Sequence, residues 1–176
     1  WSHKHLTSIS QFSKEDFLKL FELATFFKSY PSFRLLQGKT LCNLFLEPST
    51  RTRISFEMAA SKLAATVINL EASASSLTKG ETLLDTILKL QAMGVEGIIL
   101  RDPHPNSIFE IANHPLVRPS IINAGDGTNQ HPSQALLDSF TLYEHWKGAC
   151  KGKRVLIVGD ISHSRVARSS YEAMKK

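Results

Sequence analysis

The residues best suited to chemistry lie directly after an apolar segment, in the stretch EPSTRTRISF at 47–56. Arg51 and Arg53 stand where a helix should begin, although the first turn of a helix carries partial positive charge and unpaired N–H donors. A cation there costs about 0.3–1 kcal/mol unless an anion lies nearby. Hydroxyl donors surround the arginines, on Ser49, Thr50 and Thr52. Backbone amides, hydroxyls and a forked guanidinium together predict a phosphate site.

A purely structural interpretation of this stretch stays open. Ser49 or Thr50 could cap the helix while the arginines face solvent, and Arg53 could pair with Glu57 one turn later. Capping alone gives no reason for two arginines at a positive helix end. The pattern therefore favours an anion site with Arg51 directed at the ligand.

A second basic residue occupies another predicted helix start. Thr78 and Glu81 match a capping box, which needs no lysine, yet Lys79 stands between them. The preceding loop is small and polar, so it could deliver Lys79 to an anion in its own subunit or in a neighbouring one. The serines of that loop are Ser73, Ser75 and Ser76.

Four more polar residues lie at the ends of predicted elements. His131 precedes a proline, a standard first helical residue, and Gln134 lies one turn further on. A surface histidine with a capping glutamine is the alternative, but the polar segment before His131 favours a loop that faces a ligand. Arg101 ends an apolar strand and is either an anion ligand or a solvated side chain. Arg165 follows another predicted strand, and the same two alternatives, an anion ligand or a solvated side chain, apply to it.

Alternating strands and helices must position these residues. Short apolar segments alternate with helical periodicity, which predicts an α/β fold with a mainly parallel sheet and helices on both faces. Ligands bind beyond the carboxyl ends of the strands in such sheets, so the polar loops should gather at one edge. The predicted strands are 40–46, 66–70, 97–100, 120–123 and 154–158. Six helices are predicted: one that begins at Ser13, one from the EPSTRTR turn to about Ala65, Glu81–Met93, a short one after Ser107, Gln134–Trp146, and a last one after Asp160.

Composition bounds the classes of function. The 176 residues are 42% hydrophobic, enough for a packed core, and the net charge of +5 is scattered. That fits an anionic small ligand better than nucleic acid, which calls for a basic stripe. No apolar run reaches the ~18 residues of a membrane span, and no signal peptide opens the chain. Cys42 and Cys150 are far apart, so a reducing, cytoplasmic setting is the default. No metal-ligand spacing or nucleophile motif occurs, so no metal or cofactor is expected.

Three segments together resemble the catalytic chains of aspartate carbamoyltransferases, within the aspartate/ornithine carbamoyltransferase family. The segments are FLEPSTRTRISFE, SLTKGETLLDTI and INAGDGTNQHPSQALLDSFTLYE. STRTR and HPxQ are shared with ornithine carbamoyltransferases, whereas the lysine of TKGE and the NAGDG…QHPSQ form are those of the aspartate enzymes. The match runs in order through GDISHSR and covers nearly the whole chain.

The resemblance implies transfer of a carbamoyl group from carbamoyl phosphate to the α-amine of L-aspartate, early in de novo pyrimidine biosynthesis and without a cofactor. In the family pattern the phosphate is held by Ser49, Thr50, Arg51 and Thr52. Arg51 also stabilises charge on the departing oxygen. The carbamoyl oxygen is polarised by Thr52, Arg101 and His131, the carbamoyl nitrogen is held by Gln134, and an aspartate carboxylate is bound by Arg165. Ser75 (or Ser76) and Lys79 come from the adjacent subunit of a homotrimer.

The same resemblance implies two domains. Residues 1–148 form a carbamoyl-phosphate-binding domain, and 149–176 supply the first β-α unit of an aspartate-binding domain whose remainder is absent. Residues 1–176 alone are therefore expected to bind carbamoyl phosphate weakly and to be inactive. Where the family often has RHP, this chain has Asp102 between Arg101 and a proline, which places an acid beside the site.

Two other functions stay open. An ornithine carbamoyltransferase is disfavoured by Lys79, and a non-catalytic module that binds carbamoyl phosphate or phosphate would keep the same cradle. A nucleotide-binding domain would need phosphate-loop glycines that the sequence lacks. A regulatory chain or a dihydroorotase is an open partner, whereas nucleic acid and membranes are not expected.

Overall fold

The computed structural model describes residues 3–30, 32–71 and 80–176. Within these ranges a short 3₁₀ turn, Ile9–Gln11, precedes the regular elements. The helices are α1 (Lys14–Ser29), α2 (Thr50–Lys62), α3 (Leu83–Ala92), α4 (Ser107–Ala112), α5 (Pro132–His145) and α6 (Arg165–Met174). The strands are β1 (Thr40–Phe45), β2 (Thr66–Glu71), β3 (Gly97–Asp102) and β4 (Ser120–Asp126).

The four strands form one parallel sheet in the order β2-β1-β3-β4. Cys42 in the middle of β1 pairs with Ile68 and Ile98, and Phe45 at its end pairs with Arg101. All four strands therefore finish at the same edge, as the sequence predicts, and the loops after them start there.

Alternation along the strands puts apolar side chains on both faces of the sheet. Cys42 and Leu44 are fully buried with Ile87 of α3 on one face, whereas Phe45 packs with Phe56 of α2 on the other. A parallel sheet covered on both faces is what continuous apolar strands indicate. A separate apolar cluster joins α1, α5 and α6, through Ile9, Phe12, Phe17, Phe21, Ala135 and Ala173.

Helix starts follow local capping chemistry. α1 begins after Ser13, whose hydroxyl and the Asp16 carboxylate form a capping box, as predicted. The predicted start of the third helix at Glu81 is wrong, because α3 is capped by Thr82 and Asp85 and begins at Leu83. Thr78 of the predicted box lies outside the described residues, and the Glu81 carboxylate accepts from Thr86 and Lys89.

The predicted fifth strand does not form. Residues 153–158 have no ladder partner, and the exposed fractions of Leu156 and Val158 are 86% and 84%. An apolar segment becomes a strand only beside another strand, and the outer edge of β4 is met by Leu6, which bridges to Ile122. Of the predicted β-α unit only α6 forms. No helix among the described residues is long and apolar enough to cross a bilayer.

Candidate active site

Two arginines from distant parts of the chain meet on one carboxylate. Glu47 Oε1 accepts from Arg101 Nη2 at 2.7 Å and also from Arg165 Nη2. Arg165 Nη1 donates to the carbonyl of Gly127 at 2.7 Å, and Arg101 Nη1 donates to that of Ala124 at 3.3 Å. Arg101 is the penultimate residue of β3 and Arg165 begins α6, so the end of the sheet and a later helix jointly build this cluster.

The electrostatics of Arg101 indicate a site for an anion. Burial and the nearby Arg165 charge lower the pKa of Arg101, with Glu47 acting in the opposite direction. Its Nε is buried and has no hydrogen-bond partner among the described residues. A partly desolvated guanidinium with a spare donor is suited to a forked, charge-assisted contact with an oxyanion.

His131 is buried beside both arginines. Burial, then the charges of Arg101 and Arg165, lower the pKa of His131 to about 4, so its imidazole is neutral at neutral pH. Its backbone N–H donates to Ser169 Oγ at 2.9 Å, and its Nδ1 lies 3.3 Å from Ser133 Oγ. The ring is thus held in place as an uncharged hydrogen-bonding group.

A buried carboxylate shapes the loop that carries His131. Asp126 Oδ1 accepts from the backbone N–H of Gln130 at 2.7 Å, and Oδ2 accepts from that of Asn106 at 3.1 Å. Gly127 has φ +51°, and a Cβ there would lie 2.7 Å from the Pro103 carbonyl. At Gly125 a Cβ would lie 3.1 Å from the Arg165 guanidinium. The glycines therefore allow a close approach that other residues would block.

The predicted phosphate cradle opens α2 at the same edge of the sheet. Ser49 is the N-cap residue by backbone geometry, but its side chain makes no capping hydrogen bond, contrary to the simple capping interpretation. Arg51 is exposed on the first turn. The Leu46 N–H donates to the Arg101 carbonyl at 2.8 Å, which ties the segment before Ser49 to β3. Thr50 and Thr52 lie on the same first turn.

The other predicted site residues lie elsewhere or outside the described ranges. Gln134 is on the first turn of α5, and its Nε2 donates to Asp138 Oδ1 at 2.9 Å instead of contacting the arginine cluster. Ser75, Ser76 and Lys79 fall outside the described residues. The structure thus brings Arg101, His131 and Arg165 together.

Asp102, the residue that departs from the family pattern, does not pair with Arg101 in the described structure. Its Oδ1 accepts from the backbone N–H of His104 at 2.8 Å and lies 2.8 Å from the His104 ring Nδ1. The Asp102 carboxylate closes the turn after β3.

The sequence analysis did not identify Glu47, the acid that pairs with both arginines. Its position indicates such a role, because Glu47 lies directly between the end of a predicted strand and the basic start of the next helix.

An open cleft of about 550 Å³ lies beside Arg165. Its walls come from Glu47, Pro103, Pro105, Gly127, Thr128, His163, Ser164, Arg165 and Val166. Over the described part of the chain, no group of three or more His, Cys, Asp or Glu could hold a metal ion. The arrangement can bind a small anion and present a neutral imidazole to it.

A family model for the aspartate/ornithine carbamoyltransferase carbamoyl-P binding domain matches residues 4–144. The chain belongs to the aspartate/ornithine carbamoyltransferase family. The predicted resemblance is therefore confirmed at the level of the family, with the parallel α/β fold that it implies.

Individual members of the family are similar to this chain over nearly all of its length. The chain is 45% identical to an aspartate carbamoyltransferase catalytic subunit from Opitutus terrae over all of its own length, and 48% identical to one from Desulfotalea psychrophila over 96% of it. It spans 57% and 54% of those two proteins, about half of each. Among solved structures, aspartate transcarbamoylase from Trypanosoma cruzi with carbamoyl phosphate and aspartate has a TM-score of 0.90 and 34% identity, over 97% of this chain and 56% of that one. The same enzyme with aspartate and phosphate has a TM-score of 0.89.

Proposed function

We propose that the natural chain carrying this sequence is an aspartate carbamoyltransferase. It transfers the carbamoyl group of carbamoyl phosphate to the α-amine of L-aspartate and yields N-carbamoyl-L-aspartate and phosphate, early in pyrimidine synthesis. The observation that carries the proposal is the meeting of Arg101, His131 and Arg165 at one sheet edge, with His131 neutral. The names of the relatives and the substrates bound in the T. cruzi structures support it.

The cradle at the start of α2 takes the phosphate group. Helix N–H donors, hydroxyls and Arg51 match a dianion in charge and geometry. Its ligands are Ser49, Thr50, Arg51 and Thr52. Arg51 also stabilises the charge that develops on the departing oxygen.

The carbamoyl group lies against Arg101 and His131. Thr52, Arg101 and His131 donate to its oxygen, and Gln134 contacts its nitrogen. A neutral imidazole suits this role because it donates without the cost of burying a third cation beside two arginines. Arg165 binds a carboxylate of aspartate.

The reaction needs no side-chain nucleophile. The aspartate amine attacks the carbamoyl carbon, a C–N bond forms, the C–O bond to phosphate breaks, and the departing phosphate accepts a proton of the amine. Catalysis then rests on orientation and on donors fixed around the developing oxyanion. Loss of one such donor should lower turnover by roughly 10²–10³.

Glu47 competes with the substrate for Arg101. It neutralises one of the two guanidinium charges, which stabilises the arginines while no anion is bound. A substrate oxyanion that contacts Arg101 must therefore compete with Glu47, and the unpaired Arg101 Nε offers the first contact.

The assembly and domain organisation belong to the same proposal. Ser75 or Ser76, together with Lys79, reaches the site from the neighbouring subunit of a homotrimer. Residues 1–148 form the carbamoyl-phosphate-binding domain, a division supported by the last matched residue of the family model, 144, and residues 149–176 begin the aspartate-binding domain. The setting is cytoplasmic, a regulatory chain or dihydroorotase is an open partner, and residues 1–176 alone are expected to be inactive.

The test is a two-acceptor assay. The natural chain is incubated with carbamoyl phosphate and either L-aspartate or L-ornithine, and the carbamoylated product is measured. We expect product from aspartate only, with an Arg101→Ala variant reduced by roughly 10²–10³ and Arg118→Ala, at an exposed arginine before β4, unchanged. Product from ornithine would favour the ornithine enzyme. Binding of carbamoyl phosphate without product would favour the non-catalytic module.

A further inference from the structure

Asp138 lies between α5 and α6 and has no role in the proposed chemistry. One of its carboxylate oxygens, Oδ1, accepts from Gln134 Nε2 at 2.9 Å within α5. The other, Oδ2, accepts from Ser170 Oγ of α6 at 3.3 Å. Ser170 is 3% exposed and Asp138 is half-buried, so this second contact is partly buried in the α5–α6 interface.

These contacts decide which end of the Gln134 amide is available. A carboxylate accepts hydrogen bonds and has none to donate, so only the NH₂ end of an amide can face it. The Gln134 oxygen is therefore on the opposite branch of the side chain, and it has no hydrogen-bond partner among the residues that the structure describes. Gln134 therefore offers an unpaired acceptor oxygen, while one of the two N–H donors of its amide is taken by Asp138.

An acceptor at this position selects for a ligand that carries N–H donors. A carbamoyl group has an NH₂ with two N–H bonds, whereas an acetyl group of similar shape has a methyl with none. We propose that Asp138 is a positioning residue that fixes the Gln134 amide so that its oxygen recognises the carbamoyl NH₂, which makes the site select carbamoyl phosphate over acyl phosphates. The inference rests on the proposed function, in which Gln134 contacts the carbamoyl nitrogen.

The simpler interpretation is an ordinary pair four residues apart on one helix. Such a pair stabilises a helix by about 0.2–0.5 kcal/mol and needs no ligand. The contact from Ser170 goes further, because it fixes the second oxygen of Asp138 from another helix and leaves the carboxylate little freedom to rotate. In an Asp138→Asn variant the new amide can present either end, so the Gln134 amide is free to turn over.

The experiment compares two donors in the natural chain at saturating aspartate. With acetyl phosphate the aspartate amine attacks the acetyl carbon, a C–N bond forms, the C–O bond breaks, and phosphate leaves with the amine proton. The measured quantity is the ratio of kcat/KM for carbamoyl phosphate to that for acetyl phosphate. If acetyl transfer by the parent is too slow, the inhibition constant of acetyl phosphate against carbamoyl phosphate replaces its rate.

We expect Asp138→Asn to lower this ratio by about tenfold, the value of one hydrogen bond of ~1.4 kcal/mol. Ser170→Ala, which removes one donor with little change in volume, should lower the same ratio by a smaller factor and gives the result if Asp138→Asn does not fold. The matched control is Glu144→Gln, an acid-to-amide change on the same helix at an exposed residue paired with Lys28.

An unchanged ratio in a folded Asp138→Asn protein, or an equal loss with both donors, would overturn the inference and leave Asp138 a structural residue. Failure of the proposed function looks different, because the parent itself would then transfer neither group to aspartate. In that case the positioning role is tested separately by calorimetry, which measures the affinities of the parent and of Asp138→Asn for carbamoyl phosphate and for acetyl phosphate. A binding preference that is equal in the two proteins contradicts it.

Discussion

At the scale of single residues, the exposed Arg51 and the half-buried Arg101 differ in their surroundings. Arg51 faces solvent on the first turn of α2, where the helix dipole disfavours it. Arg101 is neutralised by Glu47 and anchored to the backbone of β4. Arg51 can therefore be removed with little effect on the fold, whereas the loss of Arg101 would leave Glu47 with one guanidinium fewer.

The variant Arg51→Ala should fold as the parent does and be more stable by about 0.3–1 kcal/mol without ligand, because the unfavourable dipole interaction is gone. Phosphate should no longer raise its melting temperature. Thermal unfolding with and without phosphate measures both effects, and Lys62→Ala, in the last turn of the same helix, is the control. Equal protection of parent and Arg51→Ala by phosphate would contradict the prediction.

His131 should make the free energy of unfolding depend on pH. Its pKa is about 4 in the folded protein and about 6.5 when unfolded, so between these values only the unfolded chain takes up the proton. The contribution of His131 to the free energy of unfolding is complete above pH 6.5 and is lost as the pH falls toward 4. The total loss is roughly 3 kcal/mol. His5, whose pKa is lowered by burial and then by Lys4, acts in the same direction.

Denaturant unfolding across pH 4 to 7 measures this slope. In a His131→Gln variant the slope should shrink, whereas His145→Gln, at an exposed histidine, should leave it unchanged. An NMR titration of the folded protein should show a neutral His131 ring from pH 8 down to about pH 5. Titration of that ring near pH 6.5 would show that the site is more open than its burial indicates.

At the scale of elements, the site depends on the loop after β4 meeting the turn after β3. Gly127 is where they touch, because its N–H donates to the Asp102 carbonyl at 2.8 Å and its own carbonyl accepts from Arg165. A side chain at Gly127 would strike backbone, not a movable side-chain tip.

Gly127→Ala should therefore destabilise the protein by about 1–3 kcal/mol. If Arg165 binds aspartate as proposed, the variant should also bind aspartate more weakly, because Arg165 is displaced. Gly38→Ala is the matched control, since Gly38 also has a positive φ, +79°, but nothing lies within 4 Å of its missing Cβ. The difference between the two variants in chemical denaturation isolates the clash from the backbone cost. Equal losses would mean that the contact with the turn is unimportant.

At the scale of the whole molecule, the proposed sharing of sites makes a sharp prediction. An Arg51→Ala chain and a Lys79→Ala chain are each expected to be inactive, but a mixed trimer of natural chains would contain one site with both residues intact. Random mixing of equal amounts should restore at most about a quarter of the parent activity. As the control, each variant is taken through the same mixing procedure alone. Absence of any rescue in mixed trimers would place both residues in the same subunit's site.

The sequence by itself determined the strands β1 to β4, their parallel arrangement and the family. Continuous apolar segments and motif spacing are local properties, and the chain carries them whatever it packs against. It also predicted that Arg101 and His131 lie at one edge, because parallel strands end together. Arg165 reaches the same cluster from the start of α6, although the strand predicted before it does not form.

Only the tertiary structure decided which acid joins the two arginines, that Asp102 closes a turn, and that the Gln134 amide faces Asp138. It also decided that residues 154–158 stay outside the sheet. These outcomes depend on distances between segments far apart in the chain. A carboxylate accepts from whichever donor folding brings within about 3 Å, and an apolar segment becomes a strand only where an edge is free.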